Sequence, residues 1–174
     1  ELTNVSADPV DLTGWSLDDD SSTPGVVSLG AAGQLQPGES VVVTAVAAAT
    51  FAAAWGIPVE RVIGLNTLAN LGRNDAVTLF DSGGNLVDRL TYGDQSFPGT
   101  IRTQNAAGHT CRQELGQDNI ASWQLAAAGD EQDSWASTGG DIGSPGEFIA
   151  VSCFACPADL DGDGVVGGAD LGQL

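Results

Sequence analysis

The sequence holds 174 residues, the size of one ordinary domain with a short appendage, and sets 23 Asp and Glu against 5 Lys and Arg for a formal charge of −18. Every base is an arginine (Arg61, Arg73, Arg89, Arg102, Arg112) and none of them cluster in the sequence, so a grip on nucleic acid or on an anionic membrane is excluded. The apolar run Ala45 to Ala54 is too short to span a bilayer, which argues against membrane insertion. The chain opens on Glu1-Leu2-Thr3 and contains no methionine, the expectation for a processed or excised piece.

Strand signals dominate, in short β-branched runs bounded by Gly, Pro, Asp and Asn. Val10 to Leu17 reads as a strand ending in the turn cluster Asp18 to Gly25, whose acids are expected to sit in a solvated loop, and Val26 to Leu29 follows as a short strand. Pro37-Gly38 turns the chain into a strand over Glu39 to Ala45. Ala48 to Trp55 predicts a two-turn helix, stopped by Gly56 and barred from continuing by Pro58, with alanines that suit close packing against a neighbour. Ala76 to Phe80 and Leu86 to Tyr92, joined by Asp81-Ser82-Gly83-Gly84-Asn85, form the clearest hairpin. Beyond Tyr92 the pattern thins: strands are expected at Thr110 to Leu115 and Trp123 to Ala127, and Asp130 to Pro145 reads as irregular. Short strands with turns every 8 to 12 residues argue for an all-β sandwich in preference to alternating βαβ units.

The segments Glu1-Leu2-Thr3-Asn4, Pro9 to Leu17 with its Thr13-Gly14-Trp15, and Leu35-Gln36-Pro37-Gly38-Glu39 resemble the lamin tail domain. So do Phe51 to Gly56, Gly64-Leu65 with Leu68-Ala69-Asn70-Leu71-Gly72, Asp75 to Asp81, Gly84 to Asp88, and Tyr92-Gly93. The resemblance implies an immunoglobulin-like β-sandwich over residues 1–148, with one short helix, and a non-catalytic role. Members of that family carry a further strand ahead of the Glu1-Leu2-Thr3-Asn4 segment, so a sheet edge is exposed here unless another segment covers it. Asp11 and Trp15 flank a bend at Gly14; Trp15 is expected to anchor the core by packing, and Leu12 and Leu17 to line it.

The last residues change character. Asp159, Asp161, Asp163 and Asp170 occupy positions 1, 3, 5 and 12 of a twelve-residue loop with Gly164 at position 6, and Val165 at position 7 offers its backbone carbonyl. Hard oxygen ligands at that spacing suit Ca²⁺. Gly167 at position 9 supplies no side-chain ligand and Asp170 is one methylene shorter than the usual Glu, so the expected affinity is weak, on the order of 10⁻⁴ to 10⁻³ M. With Cys156-Pro157-Ala158 ahead and Leu171 behind, residues 157–174 resemble the first half of a type I dockerin, and this resemblance implies a cohesin-like partner. Only one repeat is present, so calcium is implied more firmly than cohesin binding.

Residues 149–156 read as a cysteine-containing linker. Cys111, Cys153 and Cys156 allow three disulfide pairings in a secreted chain, and a Cys₃His zinc site with His109 is the less favoured alternative. His109 is the one imidazole, and its neighbours Thr110 and Cys111 are adjacent in sequence rather than convergent, so no nucleophile and base are assembled. The sequence therefore points to a non-catalytic, secreted or cell-surface module that binds or displays through a protein or a surface polymer. The alternatives are an accessory domain of a secreted hydrolase and a purely structural acidic protein.

Overall fold

The computed structural model describes residues 1–65 and 71–151. In chain order the elements are β1 (Leu2–Thr3), β2 (Val10–Asp11), β3 (Ser16–Asp18), β4 (Val27–Ser28), β5 (Gln34–Leu35), β6 (Ser40–Thr44), α1 (Ala48–Trp55), β7 (Val62–Gly64), β8 (Asp75–Phe80) and β9 (Leu86–Tyr92). Four two-residue strands follow: β10 (Gly108–His109), β11 (Gln124–Leu125), β12 (Trp135–Ala136) and β13 (Ile142–Gly143). The described residues are mostly β with one short α-helix, in keeping with an immunoglobulin-like fold.

One layer is the four-stranded sheet β4-β3-β8-β9, and the other is built on β1-β6-β7 together with the pair β2-β5. Leu79 from the first layer meets Val41 and Leu35 from the second, with Leu12 and Leu29 closing the cluster. Each is at least 94 % withdrawn from solvent, and burying a side chain of this size contributes about 1.5–3 kcal/mol. Trp15 and Leu17 are half-buried and pack against this cluster from its margin, whereas Leu12 lies at its centre.

The bend between β2 and β3 explains the Gly14-Trp15 pair. The Asp11 carboxylate accepts the Thr13 amide at 2.9 Å, the Trp15 amide donates to Leu12 O at 3.0 Å, and Gly14 takes φ +80°. Expected as one continuous strand, Val10 to Leu17 is thus two, and the break drives Leu12 into the core. Asn4 does comparable work on β1, donating through Nδ2 to Leu35 O and Asp8 O, while its backbone exchanges hydrogen bonds with Gly38 and Glu39.

The acidic turn corrects the sequence reading. Asp18 is buried, not solvated, and its carboxylate accepts the Ser21 hydroxyl and the Thr23 amide at 2.7 and 2.6 Å. Burial opposes the charge, but these donors and the Asp19 amide outweigh it and hold the Asp18 pKa below its ordinary value.

A second departure is β6-α1-β7. The two strands run parallel, which requires a crossover, and α1 supplies it, so a βαβ unit is embedded in a sandwich. The helix does pack closely, as its alanines suggested. Ala52 is buried, and a Cβ on Gly64 would overlap the Ala48 amide nitrogen and lie 2.8 Å from Val46 O. Gly56 ends the helix at φ +70°, with the Ile57 amide donating to Ala52 O.

The β8-β9 hairpin forms as expected, one residue longer at its start. Its turn is held by Asp81, whose Oδ1 accepts the amides of Gly83 and Asn85. At the free edge of β9, Asp88 accepts the Arg89 amide and Asp118 accepts the amide of Thr91, so carboxylates occupy places a further strand would use.

Residues 95–151 wrap onto this frame with little ladder of their own. The expected strand at Thr110 to Leu115 is absent: β10 stops at His109, where its partner β11 runs out, and Arg112–Glu114 form a 3₁₀ turn. The stretch expected to be irregular contains the pair β12-β13. Trp135 packs edge-on against Trp55 with centroids 6.0 Å apart and donates through Nε1 to Trp55 O, while the Thr138 amide donates to Ala54 O. No helix among the described residues is long and apolar enough to cross a membrane.

Candidate functional site

Where the extension meets the sandwich, a cavity of about 580 Å³ opens. Val77 and Leu90, paired across the β8-β9 ladder, form its floor with Tyr92. Ile101, Ile120 and Trp123 form the opposite wall, and Arg73 and Arg102 stand among the lining residues. The floor exists because β8 and β9 alternate apolar residues toward one face, and the wall exists because the 3₁₀ turn Ile120–Ser122 buries Ile120. Gly108 stands beside it, where an added Cβ would lie 2.6 Å from Ile101 Cδ1 and make the tip of that side chain shift.

The two arginines differ in their partners. Arg73 grips Asp94 with Nε and Nη2 at 2.7 and 2.5 Å, and this side-chain pairing holds the Asp94 carboxyl below its ordinary pKa. Arg102 makes no hydrogen bond or ion pair among the described residues. Tyr92 has its phenol pushed up to about 12, by burial first and by the Asp75 charge second, so it stays a neutral donor. Nothing in the sequence singled out these residues as a site, because they come from four separate segments.

His109 lies on β10, as a strand histidine should, half-buried with Nε2 3.3 Å from Asp130 Oδ2. Asp130 organises the turn after β11. Burial opposes its charge, but the amides of Ala127, Ser134 and Gln132 prevail and bring its pKa to about 2. Ser134, His109 and Asp130 are thus neighbours with the composition of a hydrolytic triad but not its order. Among the described residues neither Ser134 Oγ nor His109 Nδ1 has a hydrogen-bond partner, and both atoms are shut off from solvent. The trio is a structural knot.

Among the described residues no group of three or more His, Cys, Asp or Glu is placed to hold a metal ion. The calcium-loop ligands Asp159, Asp161, Asp163, Val165 and Asp170 lie outside the described residues, as do Cys153, Cys156 and the Leu68-Ala69-Asn70 part of the family motif. Cys111 sits between Thr110, buried with its hydroxyl on Ser122 O, and Arg112, whose amide donates to Val151 O at 3.2 Å.

No curated protein and no solved structure matches the chain. The family model of the lamin tail domain matches residues 1–94, from Glu1 to two residues past β9, which takes in both sheets, the core cluster and the helix. Over more than half its length, and in the elements that build its core, the chain belongs to the lamin tail domain family.

Proposed function

We propose that this protein is a non-catalytic extracellular module that binds or displays, attaching to another protein or a cell-surface polymer, with a calcium-binding, dockerin-like tail over residues 157–174. The observation that carries the reading is membership of an immunoglobulin-like, non-catalytic family. The loop from Asp159 to Asp170 supports calcium through its ligand spacing, and a weak site of that kind suits a calcium-rich exterior. A cohesin-like partner for the tail rests on the same segment.

A secreted setting also accounts for the cysteines. The Arg112 amide on Val151 O brings the chain beside Cys111 two residues before Cys153, which favours a Cys111 to Cys153 or Cys156 disulfide over the local Cys153 to Cys156 pair. Non-reducing peptide mapping reads the pairing, and a Cys153 to Cys156 link would overturn that part.

The calcium reading is tested by calorimetric titration with Ca²⁺ of the full chain and of an Asp161→Ala, Asp163→Ala variant. Saturable heat in the first alone supports it; equal heats from both sink it. Retention of the module on cell-surface extract in calcium but not in chelator, lost in the same variant, supports attachment through the tail. Retention by neither form would favour the purely structural reading.

A further inference from the structure

We propose that the cavity between the β8-β9 sheet and the extension is a binding site for a small amphipathic carboxylate, its apolar or aromatic body held among Val77, Leu90, Ile101, Ile120 and Trp123 and its acid on Arg102. The proposal does not depend on the calcium-binding reading of residues 157–174.

Size is the first argument. A cavity of about 580 Å³ with an apolar floor and wall falls in the range that holds a small organic molecule.

Charge is the second. The chain has 5 bases against 23 acids, so a pocket chosen at random on its surface would be walled by carboxylates. Here the lining contains, among the described residues, two arginines and no Asp or Glu. Arg73 is already neutralised by Asp94, which feels Arg102 only through space. Arg102 is exposed and keeps its fork of donors open, the geometry that suits a carboxylate in two-point contact.

The third argument is the second donor. The Tyr92 hydroxyl makes no hydrogen bond among the described residues, and its raised pKa keeps the proton in place across the physiological range. A neutral phenol and a guanidinium on one apolar cavity select an anion with a hydrophobic body over a cation, a sugar or a bare inorganic anion. A single open arginine is also too little for a polyanion, in agreement with the charge of the whole chain.

The test uses 2-naphthoate and its uncharged isostere 2-naphthamide, titrated into the full chain and followed by amide and indole NMR shifts. The proposal expects the carboxylate to move Leu90, Ile101 and the Trp123 indole, and the amide to bind about tenfold more weakly or not at all, the ratio expected for losing one charge-assisted contact. In Arg102→Gln, an exposed change that leaves the core untouched, the advantage of the carboxylate should vanish while the spectrum stays folded. Rising salt should weaken the carboxylate alone. Shifts confined to other residues, no binding by either probe, or equal binding of both with no effect of Arg102→Gln would each overturn it.

Discussion

The sandwich and the extension hold together by different means. Residues 1–94 are tied by the longer ladders of β3-β8-β9 and β6-β7 and by an apolar cluster drawn from both layers, in which Leu12 and Leu29 are 1 % and 0 % exposed. Residues 95–151 contribute two-residue strand pairs and, as buried apolar side chains, Ile120 and Ala126 among the described residues. The polar residues Thr110, Gln132, Ser134 and Ser137 are buried there in their place. Gln132 spans its turn with both ends of its amide, donating to Ile149 O and accepting the Ile149 amide. Asn105, Asp118 and Asp133 all take left-handed backbone angles there, against Ser22 alone among the described non-glycine residues of the sandwich. Burial of apolar area is non-directional and tolerant, whereas a lattice of hydrogen bonds fails locally when one acceptor goes.

Leu12→Ala should separate the two regimes most sharply. It removes the most central side chain of the cluster and is expected to lower the unfolding free energy by about 2–5 kcal/mol, read as one cooperative denaturant transition for the whole chain. Gly64→Ala comes next, at about 1–3 kcal/mol, because the added methyl must push α1 away from β7. Hydrogen exchange should quicken in β6, α1 and β7 first.

Asp130→Ala is expected to cost about 1–3 kcal/mol, since it strands the amides of Ala127, Gln132 and Ser134 and leaves His109 without its partner. Its signature is faster exchange over residues 124–136 with β8 and β9 unchanged. A loss spread over the whole chain would show that the extension is no separate unit.

Acid offers a subtler comparison. Glu39 is held at about 2 by the Arg61 side chain and the Gln36 amide, and Asp130 lies at about 2 as well. Both folded values lie below the ordinary 4.5 and 3.8, so each group contributes stability that is fully present above those ordinary values and is lost as pH falls toward 2. Glu39→Gln should flatten the acid sensitivity of the sandwich and Asp130→Asn that of the extension. Interchangeable effects on residue-resolved exchange would dissolve the distinction. The smallest effect belongs to Trp135→Phe, about 0.5–1.5 kcal/mol through the lost bond to Trp55 O, visible as a change in tryptophan fluorescence.

Legibility followed the same division. The helix was readable to the residue because Gly56 and Pro58 fix its end, and the β8-β9 hairpin because alternation and a Gly-Gly-Asn turn agree. The break at Gly14 was visible as a bend, but the splitting of β2 from β3 depends on hydrogen bonds to Gly33 and Trp15 that distant segments complete. Asp18 misled because a charged residue in an acidic run gives no sign of the donors that will surround it. The false strand at Thr110 to Leu115 arose from composition alone, with no partner strand of that length to pair with. The cavity was invisible for the same reason: Arg102 and Trp123 acquire meaning only when the extension folds over Leu90.

The carboxylates on the free edge of β9 also bear on how the molecule behaves in crowded solution. Asp88 has its pKa raised by burial first, against the lowering effect of the Arg89 amide, and the nearby Asp118 charge adds to the rise. On acidification it protonates sooner than an ordinary aspartate, while the wider charge that keeps copies apart is falling too. The edge guard and the mutual repulsion therefore weaken in the same pH interval. Precipitation or fibre growth should set in at mild acidity, before the core gives way.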